Sequence, residues 1–258
     1  MELISKNLDD KIVFRKYIAD AAKYGVINDS IFAADLSKVD EIEAHDFFDR
    51  TEMVENLREL LENVIRRVMG KSDRGAYLID TVMGGGKSHS LVYIALVFKK
   101  PSAAIARSEI ESIVKNWERD SIPQAEVVIF DGMVADARVK LIEQPTLSKY
   151  FSQGLGKDQV KRSIEEERKP VVFLFDEILT YLAKREDYWE ADVANLRTLI
   201  EAVADTKQSI IIITLANNSV NQRGYDRMKS IFGEIKRVGS IRMPQDPTND
   251  FAKIAMKQ

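Results

Sequence analysis

The stretch from Ala76 to His89, AYLIDTVMGGGKSH, constrains this chain more than any other. An apolar run, Ala76–Ile79, leads into Gly84, Gly85 and Gly86. Lys87 and Ser88 follow, and Ser88–Phe98 is apolar on nearly every side. That order reads as buried strand, glycine loop, buried helix, the context a phosphate loop requires. Glycines let backbone N–H groups turn toward phosphate oxygens, and the helix start aims its dipole at the same charge. Lys87 is expected to bridge the β- and γ-phosphates of ATP and Ser88 to place its hydroxyl on Mg²⁺. Against the Walker A pattern GxxxxGK[ST], Thr81 stands where the first glycine usually does, so the loop's opening turn is expected to differ. The expected nucleotide-binding residues are Thr81, Met83, Gly84, Gly85, Gly86, Lys87, Ser88 and His89. For His89 a structural role within the loop is favoured over contact with substrate.

A second apolar run, Val171–Phe175, ends in Asp176-Glu177, a Walker B pattern. Ligands of open α/β sheets gather at the carboxyl ends of the strands. Asp176 is therefore expected to hold Mg²⁺, directly or through water, and Glu177 to orient and activate the attacking water. The paired carboxylates favour a hydrolase over a small-molecule kinase. A third run, Ser209–Leu215, ends in Ala216-Asn217-Asn218. In ATPases of the additional-strand class, the strand between the other two carries a polar sensor. Asn217 is the first candidate, with Asn218 and Thr214 as alternatives, although asparagines after a strand are also ordinary turn residues. The expected catalytic set is Glu177, Lys87 and Asn217, with Ser88 and Asp176 on the metal.

Further runs at Val127–Phe130 and Ser240–Met243, with helical patterns between them, give the alternation of a mostly parallel sheet. Met53, Leu57, Leu60, Leu61, Val64, Ile65 and Val68 mark one face of a helix over 52–69 that stops at Gly70. Asp49 and Glu52 read as its capping pair. A helix is expected over Asp10–Tyr24 and a short strand over Ile31–Ala34. Residues 134–170 read as a loop followed by a solvated helix in the charged run Lys157–Lys169. Asp131, at a strand end, is expected close behind the site, and Tyr181, Tyr188 and Trp189 are expected to pack.

Composition removes several chemistries. The 258 residues contain no cysteine and two histidines, His45 and His89. That excludes disulfides, thiolate metal sites and a cysteine nucleophile, and argues against multi-histidine metal centres. A net charge of −3 argues against a surface coated in positive charge for bulk nucleic-acid binding. The longest apolar runs, Leu91–Phe98 and Ile210–Ala216, fall far short of the ~18 residues of a membrane helix. No secretory signal opens the sequence, and a soluble cytoplasmic protein is expected. The one locally basic stretch is Gln222–Arg242. It reads as a solvated helix face, as the source of an arginine finger (Arg237 first), or as a contact for nucleic-acid phosphates.

Together these residues resemble the prokaryotic AAA+ ATPase family catalogued as domain of unknown function four-nine-nine, related to ATPases of BREX-type phage-defence systems. The resemblance is carried by Ser30–Leu36 through Phe47–Thr51, by Gly84–His89, and by Phe175-Asp176-Glu177-Ile178 with Tyr181-Leu182. The family usually has threonine where Ser88 stands. Asp131-Gly132 and Pro145-Thr146-Leu147 also look similar, and the likeness spans roughly residues 30–245. It implies an AAA+ type P-loop NTPase, a three-layer α/β sandwich with a mostly parallel five-stranded sheet. An N-terminal segment, 1–50, would pack at the edge of an ATPase core, 51–245. Residues 246–258 would begin a truncated helical lid, with Asn249–Lys257 as its first helix and no position matching the lid's sensor arginine. The implied activity is Mg²⁺-dependent ATP hydrolysis coupled to conformational change in a homo-oligomer or larger AAA+ assembly. DNA, through the basic stretch, is a further partner to test, and no membrane is implied. The alternative is a nucleotide-binding switch or scaffold that does not hydrolyse, which Thr81 and the short lid favour.

Overall fold

Residues rich in Val, Ile and Phe build the centre of the protein as parallel strands. The computed structural model describes residues 35–81, 86–117, 120–216, 222–235 and 238–242. The helix expected over Asp10–Tyr24, the strand over Ile31–Ala34 and the lid helix over Asn249–Lys257 lie outside these. In chain order the helices and strands are α1 (Ala44–Arg50), α2 (Glu55–Val68), β1 (Ala76–Thr81), α3 (Lys87–Lys99), α4 (Pro101–Ile105) and α5 (Ser108–Lys115). Then come β2 (Glu126–Asp131), α6 (Lys157–Glu165), β3 (Val171–Asp176), α7 (Ile178–Ala183) and α8 (Trp189–Asp205). β4 (Ile210–Ala216), α9 (Gln222–Glu234) and β5 (Val238–Arg242) complete the order.

The sheet runs β2-β3-β4-β1-β5, with every neighbour parallel. β4 therefore lies between β1 and β3, pairing Ile79 with Thr214 on one side and Phe175 with Ile213 on the other. Alternation along each strand feeds two cores. Tyr77, Ile79, Leu174 and Ile212 pack with α2, α3 and α5 on one face. Ala76, Leu78, Phe173 and Ile213 pack with α6, α7, α8 and α9 on the other. Both faces of β3 are covered, so all six of its residues are buried, as the unbroken apolar run predicts.

α2 buries Leu57, Leu60, Leu61, Val64, Ile65 and Val68, the face its periodicity predicts. Its start differs from the expected capping pair. Val54 is the N-cap and makes no side-chain cap bond. Asp49 instead belongs to α1, whose own cap is Glu43, with its carboxylate accepting from the His45 and Asp46 amides. The Glu43 cap starts a helix earlier, and that helix turns Asp49 outward onto Arg107, 2.7 Å away.

The charged run beyond Lys157 does form a helix. α6 exposes Lys157, Asp158 and Gln159 and buries Val160 and Ile164. The segment before it is ordered by two 3₁₀ turns, the second of which buries Tyr150 and Phe151. Tyr181 is buried as expected, while Tyr188 is 55% exposed with the Arg185 guanidinium over its ring. Among the described residues no helix is long and apolar enough to cross a membrane.

At the amino end of the sheet, Arg67 of α2 is buried at 4% exposure. It donates to the carbonyls of Ser72, Ala204, Thr206 and Ser209. Ser72 lies in the turn between α2 and β1, and the other three lie at the end of α8 and the approach to β4, so one buried cation satisfies acceptors from both connections.

Candidate functional site

The carboxyl ends of β1, β3 and β4 form the opposite rim of the sheet. β1 ends at Thr81, where its backbone pairs with Ala216. Gly86 lies in the left-handed region, φ +72°, and caps the start of α3. The Gly86 carbonyl accepts from Ser90 Oγ at 2.9 Å, which ties the loop's end to the second turn. Lys87, first residue of the helix, is 7% exposed, and Ser88 beside it is partly exposed. Burial lowers the Lys87 pKa, and the carboxylates of Glu177, Asp176 and Asp80 oppose that shift. The rim thus brings a buried cation within electrostatic reach of three acidic groups from two strands and the turn after β3.

Asp176 closes β3 at 3% exposure. Its Oδ1 accepts from Thr214 Oγ1 of β4 at 2.5 Å and from the Glu177 amide at 3.1 Å. Thr214, an alternative sensor in sequence, thus holds Asp176 from the neighbouring strand. Glu177 sits next in the left-handed region, φ 49° and ψ 33°, and caps α7. Its Oε2 accepts from Thr180 Oγ1 at 2.8 Å. On the far side, Asp131 is in register with Asp176, as expected for a residue close behind the site. Burial raises its pKa, the Met133 amide on Oδ1 works against that, and Asp176 adds to it. The next residue must be glycine. A Cβ at Gly132 would lie 2.0 Å from the Glu177 carbonyl oxygen.

His89 packs against α1. Its ring stacks on Phe47, centroids 4.7 Å apart, and its Nε2 meets Thr51 Oγ1 at 2.9 Å. The Thr51 hydroxyl oxygen also lies 2.8 Å from the Phe47 carbonyl, to which it donates. Burial pushes the His89 pKa down to about 4, keeping the ring neutral. The favoured structural role fits this placement, with α1 as the partner.

Sequence reasoning missed two networks around the rim. Asp80 of β1 accepts from Tyr225 Oη at 2.6 Å and from Lys229 Nζ at 3.0 Å, fastening α9 to β1. Lys229, read as part of the basic stretch, is thus engaged within the fold. Arg185 and Asp192 form a buried ion pair, with Arg185 also donating to the Ala137 carbonyl and Asp192 accepting from the Leu141 amide. An acidic residue ending the apolar β1 run, with Tyr and Lys four apart, is the one signal that pointed to the first. Nothing local marks the second. Met83, Gly84, Gly85, Asn217, Asn218 and Arg237 lie outside the described residues, as does the Thr81 side chain. Among the described residues no group of three or more His, Asp or Glu side chains forms a metal cage.

Residues 34–147 match the family model described as the DUF499 N-terminal domain. That span holds Thr51, Lys87, Ser88, His89 and Asp131 and stops before Asp176. Among solved structures the chain is similar to PCH-2 of C. elegans, at 17% sequence identity and a TM-score of 0.39. The match covers 83% of this chain and 51% of that one, so the chain spans about half the length of that structure. No curated protein matches the chain.

Proposed function

We propose that the chain is an AAA+ type P-loop ATPase that binds Mg²⁺-ATP and hydrolyses its β–γ anhydride. The observation that carries this reading is Lys87, buried at the head of α3 with the Asp176 and Glu177 carboxylates bearing on it. A cation, a helix start and two carboxylates at the carboxyl ends of parallel strands suit a nucleotide triphosphate. The glycine loop, Thr81, Met83 and Gly84–Gly86, supplies backbone donors to the phosphates, and Lys87 neutralises β- and γ-phosphate charge. Asn217 serves as the sensor of the γ-phosphate.

The residues present fit Mg²⁺. That ion is usually held by one or two carboxylates, waters and substrate phosphates rather than by an all-protein cage. Asp176, fixed through Oδ1 by Thr214, and the Ser88 hydroxyl would hold it. The bound ion would supply charge neutralisation at the phosphates. Glu177 takes the proton of the attacking water. The water oxygen bonds to the γ-phosphorus, the bond to the bridging oxygen breaks, and ADP and phosphate leave.

Turnover is coupled, in this proposal, to conformational change in a homo-oligomeric or larger AAA+ assembly. Phage defence is the process that the family resemblance suggests. Salt-sensitive stimulation of turnover by DNA would add DNA as a partner. The direct test is Glu177→Gln, expected to bind Mg²⁺-ATP as wild type does while turnover falls at least ~100-fold. Undiminished turnover removes Glu177 from the mechanism. Wild type that binds ATP but releases no phosphate makes the chain a nucleotide-dependent switch instead.

A further inference from the structure

The backbone of Glu177 is held on every side. Its left-handed conformation is unusual for a non-glycine residue. Its amide donates to Asp176 Oδ1, its carbonyl accepts from the Thr180 and Tyr181 amides, and Gly132 is pressed against that carbonyl. Such a residue is aimed, because its side chain starts from one fixed direction. What stays free is rotation about the side chain's own bonds, and Thr180 restrains it. The Thr180 hydroxyl donates to Glu177 Oε2 at 2.8 Å. A helical threonine usually returns its proton to the carbonyl four residues back. Here that carbonyl, Asp176 O, accepts from the Gly132 amide, and the hydroxyl goes to the carboxylate. Among the described residues no donor meets Oε1, so one carboxylate oxygen is anchored and the other is presented.

We propose that Thr180 is a positioning residue that holds the Glu177 carboxylate in the orientation that accepts the proton of the attacking water. This rests on the ATPase reading above. Misplacing a reacting group by about 1 Å costs on the order of 100-fold in rate, and the methyl of valine keeps the shape of threonine without its proton. Steady-state ATP hydrolysis and nucleotide affinity would be measured for wild type, Thr180→Val, Thr180→Ser, Glu177→Gln and the double variant Thr180→Val/Glu177→Gln. Thr180→Val is expected to lower kcat about 10- to 100-fold with KM and ATP affinity unchanged. Thr180→Ser, which keeps the hydroxyl, is expected to return to within about threefold of wild type. In the Glu177→Gln background the valine should cost nothing further, because both changes act on one group. A wild type that turns over while Thr180→Val keeps its kcat overturns the role of Thr180 alone. So does a loss that appears in KM, that serine fails to rescue, or that adds fully to Glu177→Gln. A wild type without turnover overturns the ATPase reading and this proposal with it.

Discussion

Arg67 and Lys87 are both buried cations at opposite ends of the same sheet, and their surroundings differ in kind. Around Arg67 the chain places four carbonyl oxygens from the ends of its own helices and strands. Around Lys87 it places carboxylates on separate elements, at a cost in desolvation that lowers the lysine's pKa. The first arrangement completes backbone hydrogen bonding and belongs to the frame. The second sets a desolvated cation near carboxylates at the carboxyl rim of the sheet. Burial alone therefore does not tell the two cations apart; the groups around them do.

The largest expected effect breaks the frame. Arg67→Met leaves four carbonyls without their donor and is expected to cost about 4 kcal/mol or more in urea unfolding. A cost below about 1 kcal/mol would mean that Arg67 is not the clamp its contacts describe.

Next in size is the pH dependence of stability, which asks whether His89 belongs with Arg67 or with Lys87. Its folded pKa, about 4, lies below the ordinary 6.5 because of burial. The unfolded chain therefore takes the proton first. The stabilisation is complete above pH 6.5 and is lost as pH falls from there toward 4, by about 3 kcal/mol in all. His89→Phe keeps the stack on Phe47 and should flatten that slope in the nucleotide-free protein. An unchanged slope would show that His89 is not the group responsible.

Lys87→Met should give a different pattern from Arg67→Met. Mg²⁺-ATP affinity is expected to fall at least ~100-fold, close to 2.8 kcal/mol. Stability without nucleotide should fall by less than in Arg67→Met, because the desolvation relieved offsets part of the lost attraction to Glu177, Asp176 and Asp80. Thermal denaturation with and without Mg²⁺-ATP reads both. A variant as unstable as Arg67→Met would place Lys87 in the frame.

The smallest effect sharpens the link between the rim and α9. Tyr225→Phe removes the 2.6 Å bond to Asp80 and the 3.3 Å bond from Lys229 Nζ to the Tyr225 hydroxyl, and leaves the Lys229–Asp80 contact in place. About 1 kcal/mol of destabilisation is expected by urea titration. No change would mean that Lys229 alone secures Asp80.

The strands, α2 and the Asp176-Glu177 turn were legible because each is written in neighbouring residues: an unbroken apolar run, a three-and-four spacing, a carboxylate pair after a strand. Lys87 and Ser88 were legible through glycines that precede a buried helix. The start of α2 was misread, because Asp49 and Glu52 carry a capping spacing while Glu43 had already begun another helix. The Arg185–Asp192 pair, with its ties to Ala137 and Leu141, left no local trace.

The parallel α/β character and the residue types at the strand ends are written locally along the chain. Periodicity and glycine placement act over a few positions, and backbone sterics read them directly. The partnerships are set by packing. It set β4 between β1 and β3, so that Thr214 reaches Asp176 from 38 positions away and Tyr225 reaches Asp80 from 145. Strand order is a matter of which apolar faces bury one another, and hydrophobic burial is non-directional. The chain's local pattern specifies that each face must be covered, and the packed whole specifies by what.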